Sequence, residues 1–135
     1  MATVEKKTSK DIERLYDLLK QKGYELEKPD GNWLWVSDRF SYLITYHEDD
    51  PSFYQLTLPI GGDDDASQMR IKNLSAANSA TARTKFVKAY LDDDNGLNFV
   101  IDALVSGPEE YADKFPRFLS AIQVALQIFN EKTGG

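Results

Sequence analysis

The sequence predicts an α+β fold: an antiparallel sheet of about five strands, with helices from both chain ends packed on one face and a short helix in the middle. Three observations predict it. Stretches with helical spacing lie near both chain ends, and the segments between them are rich in β-branched and aromatic residues. Short turns separate several of these segments. Because such turns cannot hold a crossover connection, the strands that they join must run antiparallel.

The first helix is predicted from four apolar residues at the three-to-four spacing of one helix face: Ile12, Leu15, Tyr16 and Leu19. A hydroxyl at Thr8 or Ser9 can cap its start. Gly23 follows as a left-handed stop.

Strands are predicted over residues 24–28, 33–36, 40–47, 53–59, 84–91 and 97–105. The turn at 29–32 and the acidic segment at 48–52 separate the first four into a meander. Asn95-Gly96 predicts a hairpin between the last two strands, because both residues accept a positive φ.

The middle helix is predicted to end near Asn78, and its apolar residues are Met69, Ile71, Leu74 and Ala77. The closing helix is predicted to bury Phe118, Ile122, Leu126 and Phe129. Pro116 is expected either to kink this tail or to begin its main helix.

Length and composition indicate one domain over residues 1–135, since 41% hydrophobic residues are enough for one sizeable core. The net charge of −6 repels phosphate backbones and anionic lipid heads, so neither nucleic acid nor a membrane is the expected partner. The polar start has no apolar stretch of the kind that directs secretion, and no segment approaches the length of a membrane span. We therefore expect a cytoplasmic protein.

Motifs of catalysis are missing from the sequence. The chain has no cysteine, which excludes thiol nucleophiles and zinc–thiolate sites. It has no Gly-x-Ser-x-Gly elbow and no glycine-rich phosphate loop, and its single histidine, His47, stands in an ordinary acidic segment. The sequence thus predicts no catalytic residue and no cofactor.

Two acidic runs keep an alternative open, namely a small-ligand or divalent-metal-dependent enzyme. They are residues 63–65 and 92–94. A calcium loop aligned on Gly96 would need an aspartate where Leu91 stands and a bidentate glutamate where Asp102 stands, so the register fails. Solvated charged loops are the favoured interpretation of both runs.

A resemblance to a known family rests on residues 74–78, 84–90, 97–101 and 118–122, together with the order of elements along nearly the whole chain. In these features the sequence resembles the YbjN-like bacterial proteins, whose fold is that of the type III secretion chaperones. The resemblance implies a non-enzymatic protein that acts by protein contact, either as a chaperone for a partner segment or in stress and signalling regulation. It implies no catalytic residues.

The candidate binding residues are Trp33, Trp35 and Phe53. Side chains alternate along a strand, so the two tryptophans lie opposite Leu34 and Val36, and Phe53 lies opposite Tyr54. Large apolar groups are therefore predicted on the second face of the sheet as well. Such a face is typical of protein contact, and we expect a protein or peptide segment as its partner. Coverage by the middle helix or by a second copy in a homodimer is the alternative.

Basic residues cluster at one place in the sequence: Arg70, Lys72, Arg83, Lys85 and Lys88. A nucleic-acid surface is disfavoured by the acidic balance of the whole chain. We expect these cations to pair with nearby carboxylates.

Overall fold

The computed structural model describes residues 7–61 and 69–134. Its helices are α1 (Lys10–Gln21), α2 (Arg70–Arg83) and α3 (Pro108–Thr133). Its strands are β1 (Glu25–Leu26), β2 (Trp33–Asp38), β3 (Phe40–Tyr46), β4 (Phe53–Ile60), β5 (Lys88–Leu91) and β6 (Leu97–Leu104). The strands form an antiparallel sheet in the order β1-β2-β3-β4-β6-β5, and the predicted α+β fold is confirmed.

Helix α1 begins and ends as its sequence predicts. The Ser9 hydroxyl accepts the backbone N–H of Ile12 at 3.2 Å, which satisfies one of the free donors of the first turn. Gly23 follows the helix with a φ of 96°, a conformation that is strained for any residue with a Cβ. Ile12, Leu15 and Leu19 are fully buried along one stripe.

Two compact units divide the chain, and each has its own core. The N-terminal unit consists of the described residues of Met1–Leu56 and Ala103–Phe115. The C-terminal unit consists of those of Thr57–Asp102 and Pro116–Gly135. The expectation of a single domain over residues 1–135 stays a prediction.

In the N-terminal unit, one sheet face is buried beneath α1 and the start of α3. The buried strand residues alternate along the chain: Leu34, Val36, Tyr42, Ile44, Tyr46, Tyr54 and Leu56. The Tyr46 hydroxyl donates to Asp11 on α1, and the ring of Tyr54 stacks on that of Tyr111 on α3 with centroids 4.9 Å apart. Both helices therefore lie on the same face of the sheet in this unit.

In the C-terminal unit, the inward residues of β6 meet the later turns of α3. Phe99 and Phe129 pack edge to face with centroids 6.3 Å apart. The buried α3 side chains include Phe118, Ile122 and Phe129, as predicted, whereas Leu126 is only half-buried.

Of the four apolar residues predicted for helix α2, only Ala77 is buried. Ala76, Ala77 and Ala80 are buried, while Ile71 is 85% exposed and Met69 and Leu74 are also exposed. The small side chains allow α2 to approach β5 closely. There the Thr81 hydroxyl accepts the backbone N–H of Ala89 at 2.9 Å.

Several boundaries differ from those predicted. Helix α2 continues to Arg83 instead of ending near Asn78, because residues 79–83 include alanines with high helix propensity and the Thr84 hydroxyl bonds back to the carbonyl of Ala80. Strand β5 consequently begins at Lys88 and not at residue 84. The first predicted strand, over residues 24–28, is reduced to Glu25–Leu26, which pairs with β2, and α3 runs unbroken through Pro116.

Candidate protein-binding surface

Strand β2 divides its side chains between two faces of the N-terminal unit. Leu34 and Val36 are fully buried, whereas Trp33 is 50% exposed and Trp35 is half-buried. The two tryptophans therefore lie on the face opposite the helices, because successive side chains of a strand point to opposite sides.

Strand β3 supplies the neighbours of the two tryptophans. In the antiparallel register, Trp33 lies opposite Thr45 and Trp35 opposite Leu43. Side chains directly opposite each other on one face are within contact distance. Both residues are half-buried, so the aromatic side chains of β2 continue into the apolar side chain of Leu43 and the smaller, hydroxyl-bearing side chain of Thr45 on β3.

Strands β4 and β6 extend the same surface. Phe53 is half-buried while Tyr54 beside it is fully buried, which places Phe53 on the face away from the helices. The backbone N–H of Val105 donates to the carbonyl of Ser52 at 2.8 Å. Antiparallel alternation then places Leu104, which is 76% exposed, next to Phe53 on this face.

We call this surface the aromatic face and define it by Trp33, Trp35, Leu43, Phe53 and Leu104. The five side chains that define it are apolar and uncharged, and the half-buried polar residues Thr45 and Gln55 lie on the same face along β3 and β4. Trp33 also borders a shallow polar depression of about 370 Å³, which the exposed His47 helps to line. An apolar centre with a polar margin is the usual anatomy of a protein contact surface.

Leu104 is the residue of this face that sequence reasoning missed. Alternation along residues 97–105 places Leu97, Phe99, Ile101 and Val105 on one side, but the predicted binding residues include no position of this strand. The same period-two count places Leu104 opposite Ile101 and Val105, so the signal was present in the sequence.

The acidic runs do not assemble a catalytic site in the part of the chain that is described. Residues 63–65 lie outside the described residues. The carboxylate of Asp92 accepts the backbone N–H groups of Gly96 at 2.8 Å and Asp94 at 2.9 Å. These hydrogen bonds, Gly96 first, hold the pKa of Asp92 below its usual range, so the carboxylate serves to order its own turn.

Neither a metal site nor a membrane span is found in residues 7–61 and 69–134. No three carboxylate or histidine side chains there approach closely enough to hold an ion together. The helices within those ranges also lack the combined length and apolarity that crossing a bilayer requires.

Comparison with known proteins shows the fold. Family models and curated protein sequences yield no match to this chain. Among solved structures, YbjN of E. coli, described as a candidate transcription regulator, is similar with a TM-score of 0.63 and 20% identity over 90% of each chain. An uncharacterised protein from Methanothermobacter thermautotrophicus gives the same TM-score with 13% identity, over 90% of this chain and 98% of the other. The resemblance to YbjN found in the sequence is thus confirmed in the fold.

Proposed function

We propose that this chain is a non-enzymatic cytoplasmic protein-binding module, chaperone-like or regulatory, which holds a segment of a partner protein against the aromatic face. One observation carries the proposal. The strands of the N-terminal unit bury one face from Tyr42 to Tyr46 on β3 and at Leu34, Val36, Tyr54 and Leu56, yet they present Trp33, Phe53 and Leu104 on the other, with Trp33 and Leu104 at least half exposed.

The energetic argument is the cost of leaving such side chains in water. Covering apolar surface contributes about 25 cal/mol per Å², and an aromatic side chain offers roughly 150–250 Å². Tryptophan also dominates binding hot spots, because it supplies a large contact area with few rotatable bonds. Trp33 and Trp35 stand on a paired strand, so their backbone is already ordered before any partner arrives.

A regulatory role would operate through protein contact. The structurally similar E. coli protein is described as a candidate transcription regulator. A net charge of −6 opposes direct binding to DNA, since the average field of an anionic protein repels the phosphate backbone. We therefore place the regulatory action, like a chaperone action, in the binding of another protein.

Replacing Trp33 and Trp35 together by serine tests the proposal. The variant should stay folded by circular dichroism, because both residues lie outside the buried face. Ile71→Ser is the matched control, since it also removes an exposed apolar side chain, from α2. Proteins retained from the cell lysate by the wild type and by Ile71→Ser should be lost from the tryptophan double variant.

Fluorescence gives a second readout on the same face. Trp33 and Trp35 are the only tryptophans in the chain, so the emission of the wild type reports this surface alone. Addition of a purified partner should shift that emission to shorter wavelength as water is excluded. The proposal is contradicted if the wild type, Ile71→Ser and the tryptophan double variant all capture the same proteins. It is also contradicted if the protein dimerises in sedimentation velocity and only the double variant abolishes this, because the occupant of the face would then be a second copy of the chain.

A further inference from the structure

A cleft in the C-terminal unit lies between the segment that follows α2 and one side of α3. Its volume is about 320 Å³. The lining residues are Arg83, Thr84, Lys85, Phe86, Arg117, Ser120, Ala121 and Val124. We call it the basic cleft. It shares no residue with the aromatic face, so what is inferred for it does not depend on the proposed function.

Phe86 occupies an uncommon conformation at this cleft. Its φ is 52°, in the left-handed region that side chains with a Cβ rarely adopt, and its ring is 46% exposed. The ring packs edge to face with Phe118, with centroids 6.2 Å apart. The next residue, Val87, is buried, so this turn of the backbone keeps the aromatic ring at the surface while the chain enters the core.

Three cations line the cleft that contains this ring. The guanidinium carbon of Arg117 lies 5.8 Å from the centre of the Phe86 ring, within the range of a cation–π contact. Arg83 and Lys85 line the same cleft. Among the described residues, the cations in salt bridges are Arg14, Lys22, Lys88 and Lys114, so none of the three cleft cations is paired with a carboxylate.

This arrangement differs from what the sequence predicts for its basic cluster. We expected these cations to pair with nearby carboxylates, and Lys88 does so with Asp102 at 3.3 Å. Arg70 is occupied in another way, since it donates to the backbone carbonyl of Asp92. Arg83 and Lys85 instead line the same cleft as Arg117, in a chain whose net charge is −6. Like charges held together without a counterion repel, and an anion between them removes that cost.

The walls of the cleft are apolar between the cations. Val124 is 50% exposed on α3, and Ala121 lies one turn before it on the same helix face. With the ring of Phe86 they form a site of the size of one or two side chains. A ligand that fits therefore has a short apolar part with negative charges beside it.

We infer that the basic cleft binds a short acidic peptide segment of a partner protein, with one apolar side chain between Phe86 and Val124 and flanking carboxylates on Arg83, Lys85 and Arg117. Nucleic acid fits less well. A single strand needs a basic groove that follows several phosphates, with aromatic side chains on which successive bases stack. The cleft offers one exposed ring and three cations on an acidic protein.

Fluorescence anisotropy with a labelled synthetic peptide tests the inference. The probe has two glutamates on each side of a Leu-Phe pair. One comparison peptide replaces the glutamates by glutamine, another replaces Leu-Phe by Ser-Ser, and a labelled oligothymidylate represents nucleic acid. The wild type should bind only the first peptide below about 1 mM, and added salt should weaken that binding.

Two protein variants locate the binding. The double variant Arg83→Gln with Lys85→Gln should bind the peptide about tenfold more weakly than the wild type, as expected for the loss of two exposed charge pairs. Lys10→Gln with Lys28→Gln is the charge-matched control, because both lysines are exposed and neither borders the cleft. That control should bind as the wild type does.

Phe86→Gly separates the apolar contribution from the charges. Glycine accepts the φ of 52° without strain, so the backbone of the cleft is kept while the ring is removed. Binding of the peptide should weaken several-fold, with the circular dichroism spectrum unchanged. The inference is overturned if the wild type fails to bind the peptide, or if the cleft double variant and the control double variant weaken peptide binding equally. It is also overturned if oligothymidylate binds more tightly than the peptide and its binding is lost when Arg83 and Lys85 are replaced.

Discussion

The hydroxyl of Tyr46 on β3 donates a hydrogen bond of 2.7 Å to Oδ2 of Asp11 on α1. This contact fixes the first helix to the sheet of the N-terminal unit at the level of the Tyr46 ring. The neighbouring ring of Tyr54 lies 5.1 Å away, and within the described residues its buried hydroxyl has no hydrogen-bond partner. Of these two neighbouring tyrosines, Tyr46 therefore has a hydroxyl that is hydrogen-bonded, whereas the hydroxyl of Tyr54 is buried without a partner in the described part of the chain.

Replacing each tyrosine by phenylalanine should therefore change stability in different directions. Tyr46→Phe removes a hydrogen bond to a carboxylate and should lower the free energy of unfolding by about 1–2 kcal/mol. Tyr54→Phe removes a buried hydroxyl that bonds to nothing in the described chain, and should be neutral or stabilising. Urea unfolding of both variants measures this, and an equal loss in the two would show that the hydrogen bond to Asp11 contributes little.

Alkaline pH should destabilise the protein through the same residue. Burial, and then the hydrogen bond to Asp11, raise the pKa of Tyr46 to about 12, above its value of about 10 in the unfolded chain. Because the folded pKa is the higher one, this contribution to stability is complete below pH 10 and is lost as the pH rises toward 12. Burial also raises the pKa of Tyr54 and Tyr111, which acts in the same direction. Urea midpoints measured between pH 9 and 12 should fall, and they should fall less in Tyr46→Phe.

A side chain at Gly96 should destabilise the turn that precedes β6. A Cβ at this position would lie 2.6 Å from Oδ2 of Asp92, whose carboxylate is held by the backbone N–H groups of residues 94 and 96. Gly96→Ala should cost roughly 1 kcal/mol, because the carboxylate must leave at least one of these bonds. Gly61→Ala is the control, since a Cβ there meets nothing within 4 Å. Thermal unfolding midpoints that fall equally in both variants would rule out the steric explanation.

Ile122 should be a large contributor to the core of the C-terminal unit. It is fully buried on α3, so Ile122→Ala leaves a cavity and should cost about 2–5 kcal/mol. Val124→Ala, on the exposed side of the same helix, should stay within about 0.5 kcal/mol of the wild type. Chemical denaturation of both variants gives the comparison, and a small effect at Ile122 would mean that the helix packs loosely.

Thr81 should protect one backbone amide of β5. Its hydroxyl accepts the N–H of Ala89 at 2.9 Å and donates to the carbonyl of Ala77 at 3.0 Å. Thr81→Val keeps the shape and removes both bonds, so it should cost about 1–3 kcal/mol. In Thr81→Val, hydrogen exchange should accelerate more at the Ala89 amide than at the amide of Tyr90, a residue that pairs with Asn98 on β6. Equal exchange at both amides would argue against a specific role of the hydroxyl.

The strands were predictable because their burial follows a period of two. Leu34, Val36 and Tyr54 point inward where the pattern places them, and the hairpin at Asn95 forms with a φ of 63° at that residue. Two residues depart from this period. Val100 on β6 is buried although both of its neighbours are buried too, and Phe40, which alternates with the buried Tyr42, is exposed at the start of β3. A side chain at the end of a strand has no neighbour on one side to cover it.

Helix α2 and the basic cleft were not predictable in the same way. Apolar spacing predicted Met69, Ile71, Leu74 and Ala77, but of these only Ala77 is buried, beside Ala76 and Ala80. Close approach to β5 favours small side chains, and local periodicity carries no information about how the sizes of two packed elements match. The cleft brings Lys85 next to Arg117, which is 32 positions later in the sequence. Arg83 and Lys85 are close in the sequence and could be recognised as a basic cluster, but Arg117 joins them only through the fold.

The alanine stripe of α2 determines how another chain can join this sheet. At the β5 border, the outward N–H of Ala89 is already bonded to Thr81, and Lys88 adds a charge beside it. At the other border, β1 offers only the two residues Glu25–Leu26. Strand addition needs a longer row of unbonded backbone groups than either border presents. Such a row is also what allows two sheets to pair edge to edge and aggregate. A partner segment is therefore recognised by its side chains and not by its backbone. Its affinity should depend on its sequence and should not change when its peptide nitrogens are methylated.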